Sequence, residues 1–180
     1  AIHPFYQPIV NMHDGVIHVE ALARWKHPVH GYIPPDKFIY IAEESGLINR
    51  LTSRILQTSI TECSAIVNKH EIEGLSINLS SYCLSNTALS TEIEAYLKQN
   101  QINAKAITLE LTESSAMSTT SVSQNTILDL HELGLAFSID DFGTGYSSLA
   151  KLKQMTLKEL KIDKSFIMDI NNNEDDAAIS

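Results

Sequence analysis

The chain has 180 residues, 43% of them hydrophobic, and a formal net charge of −9 at pH 7. This size and composition suit one globular domain with a single core, and no linker divides the sequence. The acidic charge argues against a general surface for polymeric nucleic acid, because such surfaces carry basic patches. No apolar run reaches the roughly 20 residues of a membrane helix, and no signal peptide is visible.

These features predict a cytoplasmic protein, anchored to a membrane only if other sequence supplies the anchor. Cys63 and Cys83 match neither a disulfide framework nor a zinc pair by spacing, so we expect buried thiols in a reducing compartment. The first residue is Ala1 rather than Met, and a polar run at 171–176 precedes what reads as the start of a helix. We therefore expect this sequence to be part of a longer chain.

Strand-like and helix-like segments alternate along the sequence. The predicted strands are 5–10, 16–25, 75–80, 107–112, 136–140 and 159–163, the first two forming a hairpin. Predicted helices begin near Asp36, continue through a longer segment carrying Leu56, Ile60, Cys63 and Val67, and recur near 93–98, 127–133 and 147–155. On the first helix, Phe38, Ile41 and Ala42 are predicted to share one face. Repeated strand–helix units imply a parallel sheet covered by helices.

The predicted strands carry polar residues on one face and apolar residues on the other. Ser76 and Asn78 oppose Leu75 and Ile77, and the other strands alternate in the same way. An open sheet covered by helices on both sides would bury these polar faces. A closed barrel would instead turn them inward, toward a solvated site at its C-terminal mouth. The sequence thus predicts an α/β, TIM-like (β/α) barrel, although such barrels need roughly 250 residues.

Four polar side chains fall near the C-terminal ends of different predicted strands: Glu20, Asn78, Glu110 and Asp140. Carboxylate and amide oxygens suit Mg²⁺, Mn²⁺ or Ca²⁺. Asp141 could serve a second ion, and two ions are a common device for attack on a phosphodiester. Lys161 could orient water or phosphate, and Arg24 could contact phosphate. A purely structural ion-pair network is the alternative.

Other patterns are weaker. The run 143–148 follows a strand, as a dinucleotide-binding loop would, but Ser148 departs from that fingerprint and Asp140-Asp141 would repel a pyrophosphate. His27 and His30 favour an ordinary loop over zinc, since no third ligand is evident. Glu43 and Glu44 read as solvated charge near a helix end.

Six ordered motifs stand out: Glu20-Ala21-Leu22, the loop Asp140 to Leu149, Lys161-Ile162-Asp163-Lys164-Ser165-Phe166, Tyr6-Gln7-Pro8-Ile9-Val10, Asn78-Leu79-Ser80 and Glu110-Leu111-Thr112-Glu113-Ser114. Together they resemble the EAL domain family of bacterial cyclic di-GMP phosphodiesterases. The resemblance covers essentially the whole chain. It implies a modified TIM barrel that hydrolyses cyclic di-GMP to linear pGpG with Mg²⁺ or Mn²⁺ in a two-metal site, and inhibition by Ca²⁺.

The resemblance also implies roles for individual residues. Glu20, Asn78, Glu110 and Asp140 would ligate metal, with Asp141 serving the second ion and Lys161 holding the attacking water. Gln7, Leu22 and Arg24 would bind substrate. Glu113 would anchor the loop that begins at Asp140.

Two motifs that the family carries toward its C-terminal end do not occur in these 180 residues. One of them supplies a glutamate thought to act as general base, so the resemblance predicts one EAL-type domain lacking its last βα units. We expect this chain alone to be weakly active or inactive, whereas the longer protein would be active, carry regulatory domains and be able to form a homodimer. The alternative is a regulatory module that binds cyclic di-GMP or a protein partner without turnover.

Overall fold

The computed structural model describes residues 1–12, 15–117, 120–143 and 157–165. Its strands are β1 (Ile2–Asn11), β2 (Gly15–His27), β3 (Gly31–Ile33), β4 (Gly74–Asn78), β5 (Ile107–Thr112), β6 (Ala136–Phe142) and β7 (Leu157–Ile162). Its helices are α1 (Pro35–Glu44), α2 (Ile48–Asn68), α3 (Leu89–Asn100), α4 (Glu113–Met117) and α5 (Ser121–Glu132). The predicted helix at 147–155 and the turn at His13-Asp14 lie outside the described residues.

One seven-stranded sheet joins these strands in the order β1-β2-β4-β5-β6-β7, with β3 paired to β2. β1 and β2 form the predicted antiparallel hairpin, and β3 also pairs antiparallel with β2. The pairs β2–β4, β4–β5, β5–β6 and β6–β7 are parallel. The parallel register places Glu20 opposite Ser76, Asn78 opposite Glu110, and Thr112 opposite Asp140. Because the carboxyl ends of parallel strands meet at one edge, this register gathers the polar residues there.

On β4, β5 and β6 the two faces of the sheet differ as the alternation predicts, whereas on β7 the predicted apolar residues Leu160 and Ile162 are exposed. The apolar face packs against the helices in one core, and its fully buried side chains include Leu75, Ile77, Leu109, Phe137 and Ile139. The other face carries buried polar residues, namely Ser76, Thr108, Glu110 and Ser138. A continuous polar face on a parallel sheet agrees with the predicted barrel-type arrangement.

The long helix α2 buries the four residues that its spacing selected, Leu56, Ile60, Cys63 and Val67. Burial of Cys63 and Cys83 as free thiols is also confirmed, and burial raises the pKa of Cys63 to about 11. Helix α1 differs from its prediction in which residues are buried. Phe38 and Ala42 are buried, but Ile41 is 58% exposed, because it lies at the edge of the apolar stripe, where none of the described elements covers it.

Two elements were missed in the sequence. β3 has three residues and α4 has five, which is too short for either a strand or a helix period to show. His27 and His30 flank the turn between β2 and β3, where their rings stack with centroids 4.8 Å apart. His27 Nδ1 accepts from the backbone N–H groups of Val29 and His30, which supports the ordinary-loop interpretation. Among the described helices, none has the length and apolar character needed to cross a bilayer.

Gly74, at the start of β4, gives a test of how tightly the sheet packs. A Cβ added there would lie 2.4 Å from the Ala106 carbonyl oxygen and 2.7 Å from His18 Nε2. The His18 ring could shift, but the backbone carbonyl could not. We expect Gly74→Ala to lower the free energy of unfolding by about 1–3 kcal/mol, the usual cost of overpacking. Urea denaturation measures this, with Glu73→Ala as an exposed neighbouring control, and equal stability of the two variants would contradict the packing.

Candidate functional site

Polar side chains from neighbouring strands meet at the carboxyl edge of the sheet. Asn78 Nδ2 donates to Glu20 Oε1 over 2.9 Å, which joins β4 to β2. Lys161 Nζ on β7 donates to Glu20 Oε2 over 3.1 Å and lies 2.5 Å from Glu110 Oε1 on β5. The ammonium group therefore bridges two carboxylates from separate strands.

Glu110 is the most buried member of this group, with 1% of its surface exposed. Its Oε1 is paired with the Lys161 ammonium, and apart from this ion pair neither carboxylate oxygen has a hydrogen-bond donor among the described residues. Burial raises the pKa of Glu110 to about 7, and the Lys161 ammonium offsets this only in part. A buried carboxylate whose charge is only partly compensated is suited to accept a further cation.

For the Lys161 ammonium, the nearby carboxylates affect the pKa more than burial does. Burial lowers the pKa of its ammonium, but Glu110 and Glu20 outweigh that effect, so the pKa is raised from its ordinary value. The group stays positively charged at neutral pH. The ammonium therefore neutralises part of the negative charge of Glu20 and Glu110.

Asp140 and Asp141 end β6 at the same edge. Asp140 is half-buried, whereas Asp141 is exposed and has a positive φ of 54°. Non-glycine residues rarely adopt this left-handed conformation, and it turns Asp141 away from the strand direction. Partial desolvation and the nearby carboxylates of Asp140 and Asp163 raise the pKa of Asp141.

The predicted metal ligands are not drawn into one compact group. Within the described ranges, no three His, Cys, Asp or Glu side chains converge as a preassembled metal centre. Glu20 and Glu110 meet through Lys161, Asn78 joins them through Glu20, and Asp140 lines the same cavity.

The predicted substrate residues lie beside this group. Gln7 on β1 is directly opposite Glu20 in the antiparallel register, so the two side chains share a face. Leu22 and Arg24 line a cavity of about 520 Å³ together with Glu20. Arg24 Nη1 donates to the Ala23 carbonyl, and its guanidinium lies 6.0 Å from the centroid of the Phe5 ring. The cavity thus connects the carboxylate cluster to the cationic side chain of Arg24.

Glu113 follows β5 directly and is almost fully buried, with 2% exposure. Its Oε2 accepts from the backbone N–H of Gly143 over 2.8 Å. This bond joins the start of α4 to the residues just after Asp140 and Asp141. A contact between Glu113 and the start of the predicted loop is therefore present, while residues 144–156 lie outside the described part of the chain.

The cavity is also lined by an acidic residue that the sequence analysis did not assign to the site. Glu43 was interpreted as solvated charge, but it is half-buried, lines the cavity and accepts from Ser80 Oγ over 2.7 Å. That interpretation is wrong, because α1 packs its Glu43 side toward the end of β4. The only available signal was the spacing of Pro35, Ile39 and Glu43, which places all three on one side of α1.

The sequence pattern described as the EAL domain matches residues 1–180. The chain is 39% identical over 177 residues to the cyclic di-GMP phosphodiesterase NbdA of Pseudomonas aeruginosa, covering 97% of this chain and 23% of NbdA. It is 38% identical over 176 residues to the bifunctional diguanylate cyclase/cyclic di-GMP phosphodiesterase MucR of the same organism, covering 97% of this chain and 26% of MucR.

A solved structure gives the same result. The structure described as the PaMucR phosphodiesterase in complex with c-di-GMP superposes with a TM-score of 0.89 at 37% identity, covering 99% of this chain and 73% of that one. The chain therefore spans about a quarter of the length of the curated relatives and most of the length of this solved domain.

The contact between Glu113 and Gly143 makes a prediction about local order. Glu113→Ala removes a charged acceptor from the partly buried N–H of Gly143, and a hydrogen bond to a charged group contributes about 1.5–3 kcal/mol. We expect the Gly143 amide to exchange with solvent roughly 10- to 100-fold faster, measured by hydrogen–deuterium exchange. Glu113→Gln, which keeps an acceptor oxygen, should lie between the wild type and Glu113→Ala. Unchanged exchange in Glu113→Ala would contradict the role of this contact.

Proposed function

Because the chain belongs to the EAL domain family, we propose that it forms the catalytic part of a metal-dependent phosphodiesterase that hydrolyses cyclic di-GMP to linear pGpG. The observation that carries this proposal is the meeting of Glu20, Asn78, Glu110 and Lys161 at the carboxyl edge of the sheet. The relatives named as cyclic di-GMP phosphodiesterases, and the related domain solved with c-di-GMP, support the choice of substrate.

The residues present fit Mg²⁺ or Mn²⁺. The buried Glu110 oxygens lack hydrogen-bond donors among the described residues, and the neighbouring side chains offer hard carboxylate and amide oxygens. Glu20, Asn78, Glu110 and Asp140 would hold one ion and Asp141 would serve a second. Bound divalent ions would supply a water nucleophile at neutral pH and neutralise charge on the phosphate.

The other residues would act on water and substrate. Lys161, whose ammonium stays charged between two carboxylates, would hold the attacking water. Arg24 would contact a phosphate from the cavity wall, while Gln7 and Leu22 would line the cleft beside Glu20. Glu113 would hold the backbone of Gly143 and so fix the segment that begins with Asp140 and Asp141.

Substitution of Glu20 tests the catalytic assignment. In the full-length protein that contains this chain, Glu20→Gln keeps the side-chain shape but removes the charge that Asn78 and Lys161 contact. We expect turnover to fall at least about 100-fold, because the group touches the reacting centre. Chromatography of pGpG formed from cyclic di-GMP and Mn²⁺ measures this, with Glu73→Gln, an exposed acid, as the control. Equal turnover in the two variants would refute the role of Glu20, and binding without product in the wild type would favour a regulatory module.

Metal binding can be tested apart from turnover. An ion that binds only the folded chain raises its melting temperature, by about 2.7 kcal/mol of stabilisation at 100 times the dissociation constant. We expect Mn²⁺ and Mg²⁺ to raise the melting temperature of the chain, EDTA to reverse the shift, and Glu110→Gln to remove it. Calcium should compete for the same oxygens and inhibit hydrolysis. A shift of equal size in Glu110→Gln would place the ion elsewhere.

A further inference from the structure

The cavity beside the carboxylate cluster continues to a second acidic side chain, Glu43. We propose that Glu43 recognises the Watson–Crick edge of one guanine of the substrate and thereby selects guanine over adenine. This inference rests on the proposed function, because it assumes a guanine-containing cyclic dinucleotide. It concerns base recognition rather than cleavage, so the two can fail separately.

The shape of the cavity fits a planar base. Helix α1 presents Pro35, Ile39 and Glu43 to it at four-residue intervals. Apolar walls are added by Leu22 of β2 and Leu51 of α2. Proteins read extruded bases by stacking them between apolar side chains and by bonding their Watson–Crick edges.

The position of Glu43 relative to the carboxylate cluster also fits a nucleotide. Ser80, which contacts Glu43, lies two residues beyond Asn78, roughly 7 Å along an extended chain. Asn78 in turn bonds Glu20 at the proposed metal site. The base of a nucleotide lies on the far side of its ribose from the phosphate. A phosphate near Glu20 and Asn78 would therefore place its base farther along the cavity, toward Glu43.

The chemistry of the carboxylate distinguishes the bases. Guanine presents two neighbouring donors, N1–H and the N2 amino group, whereas adenine presents an acceptor at N1. A carboxylate accepts hydrogen bonds only, so it pairs with guanine and repels the adenine N1 lone pair. Ser80 Oγ donates to Glu43 Oε1, and this is the single hydrogen bond to that carboxylate that the described residues show. Ser80 thus fixes the carboxylate while leaving it lone pairs to accept from a base.

The test combines a protein change with a one-group ligand change. Equilibrium affinities for cyclic di-GMP, cyclic di-IMP and cyclic di-AMP are measured by calorimetry with Ca²⁺, on the wild type and on Glu43→Gln. Cyclic di-IMP lacks only the N2 amino group. We expect the wild type to bind cyclic di-GMP roughly 10- to 100-fold more tightly than cyclic di-IMP, the range for hydrogen bonds to a charged group. In Glu43→Gln this preference should shrink to a few-fold, which shows coupling between Glu43 and the amino group.

Glu44→Gln is the matched control, because Glu44 is the exposed neighbour of Glu43 on α1 and should keep the wild-type preference. A preference for cyclic di-GMP over cyclic di-IMP that survives in Glu43→Gln would overturn the proposal. If Glu43→Gln lost affinity equally for all three ligands, the proposal would also be overturned, since this would indicate that Glu43 only ties α1 to Ser80. The same ligand comparison on the wild type needs no folded variant, and absence of a preference there is equally decisive. Guanine selection without pGpG formation would refute the proposed function and leave this inference standing.

Discussion

The buried carboxylate of Glu110 is the constraint on which the site depends. A carboxylate with 1% exposure costs several kcal/mol unless a cation or hydrogen-bond donors compensate it. Lys161 provides part of that compensation from β7 and shares its charge with Glu20 on β2. Because β5 lies at the middle of the sheet, this contact links strands from both of its sides. A shift of one residue in the register of β5 would place Glu110 on the apolar face.

The sequence was sufficient to predict the strands and their polarity, because a strand alternates every second residue and that pattern is local. On β5, for example, Thr108 and Glu110 alternate with Leu109. This alternation was enough to infer a polar face, and that face is present and buried. The presence of α2 and its buried stripe were equally accessible, since four residues at helical spacing carry the signal. The roles of the individual site residues remain proposals, because spacing places oxygens at one edge without showing what they bind.

What the sequence could not show depends on contacts between distant elements. Glu43 bonds Ser80 across 37 residues, and nothing near Glu43 distinguishes it from its exposed neighbour Glu44. The same limit applies to Ile41, whose exposure depends on which face of α1 meets the sheet. The short elements β3 and α4 could not be predicted for another reason, since three or five residues do not complete a recognisable period.

The charge of the site is consistent with the proposal that a phosphodiester would bind there together with divalent cations. Glu20, Glu110, Asp140 and Asp141 place four carboxyl groups at one edge, and Lys161 is the ammonium that contacts two of them. Even with Glu110 protonated, three negative charges would face one positive charge, and an anionic substrate would be repelled. In the structure, the Lys161 ammonium lies between Glu20 and Glu110. Divalent ions on the same oxygens would reverse the sign of the local charge and allow the phosphate to approach.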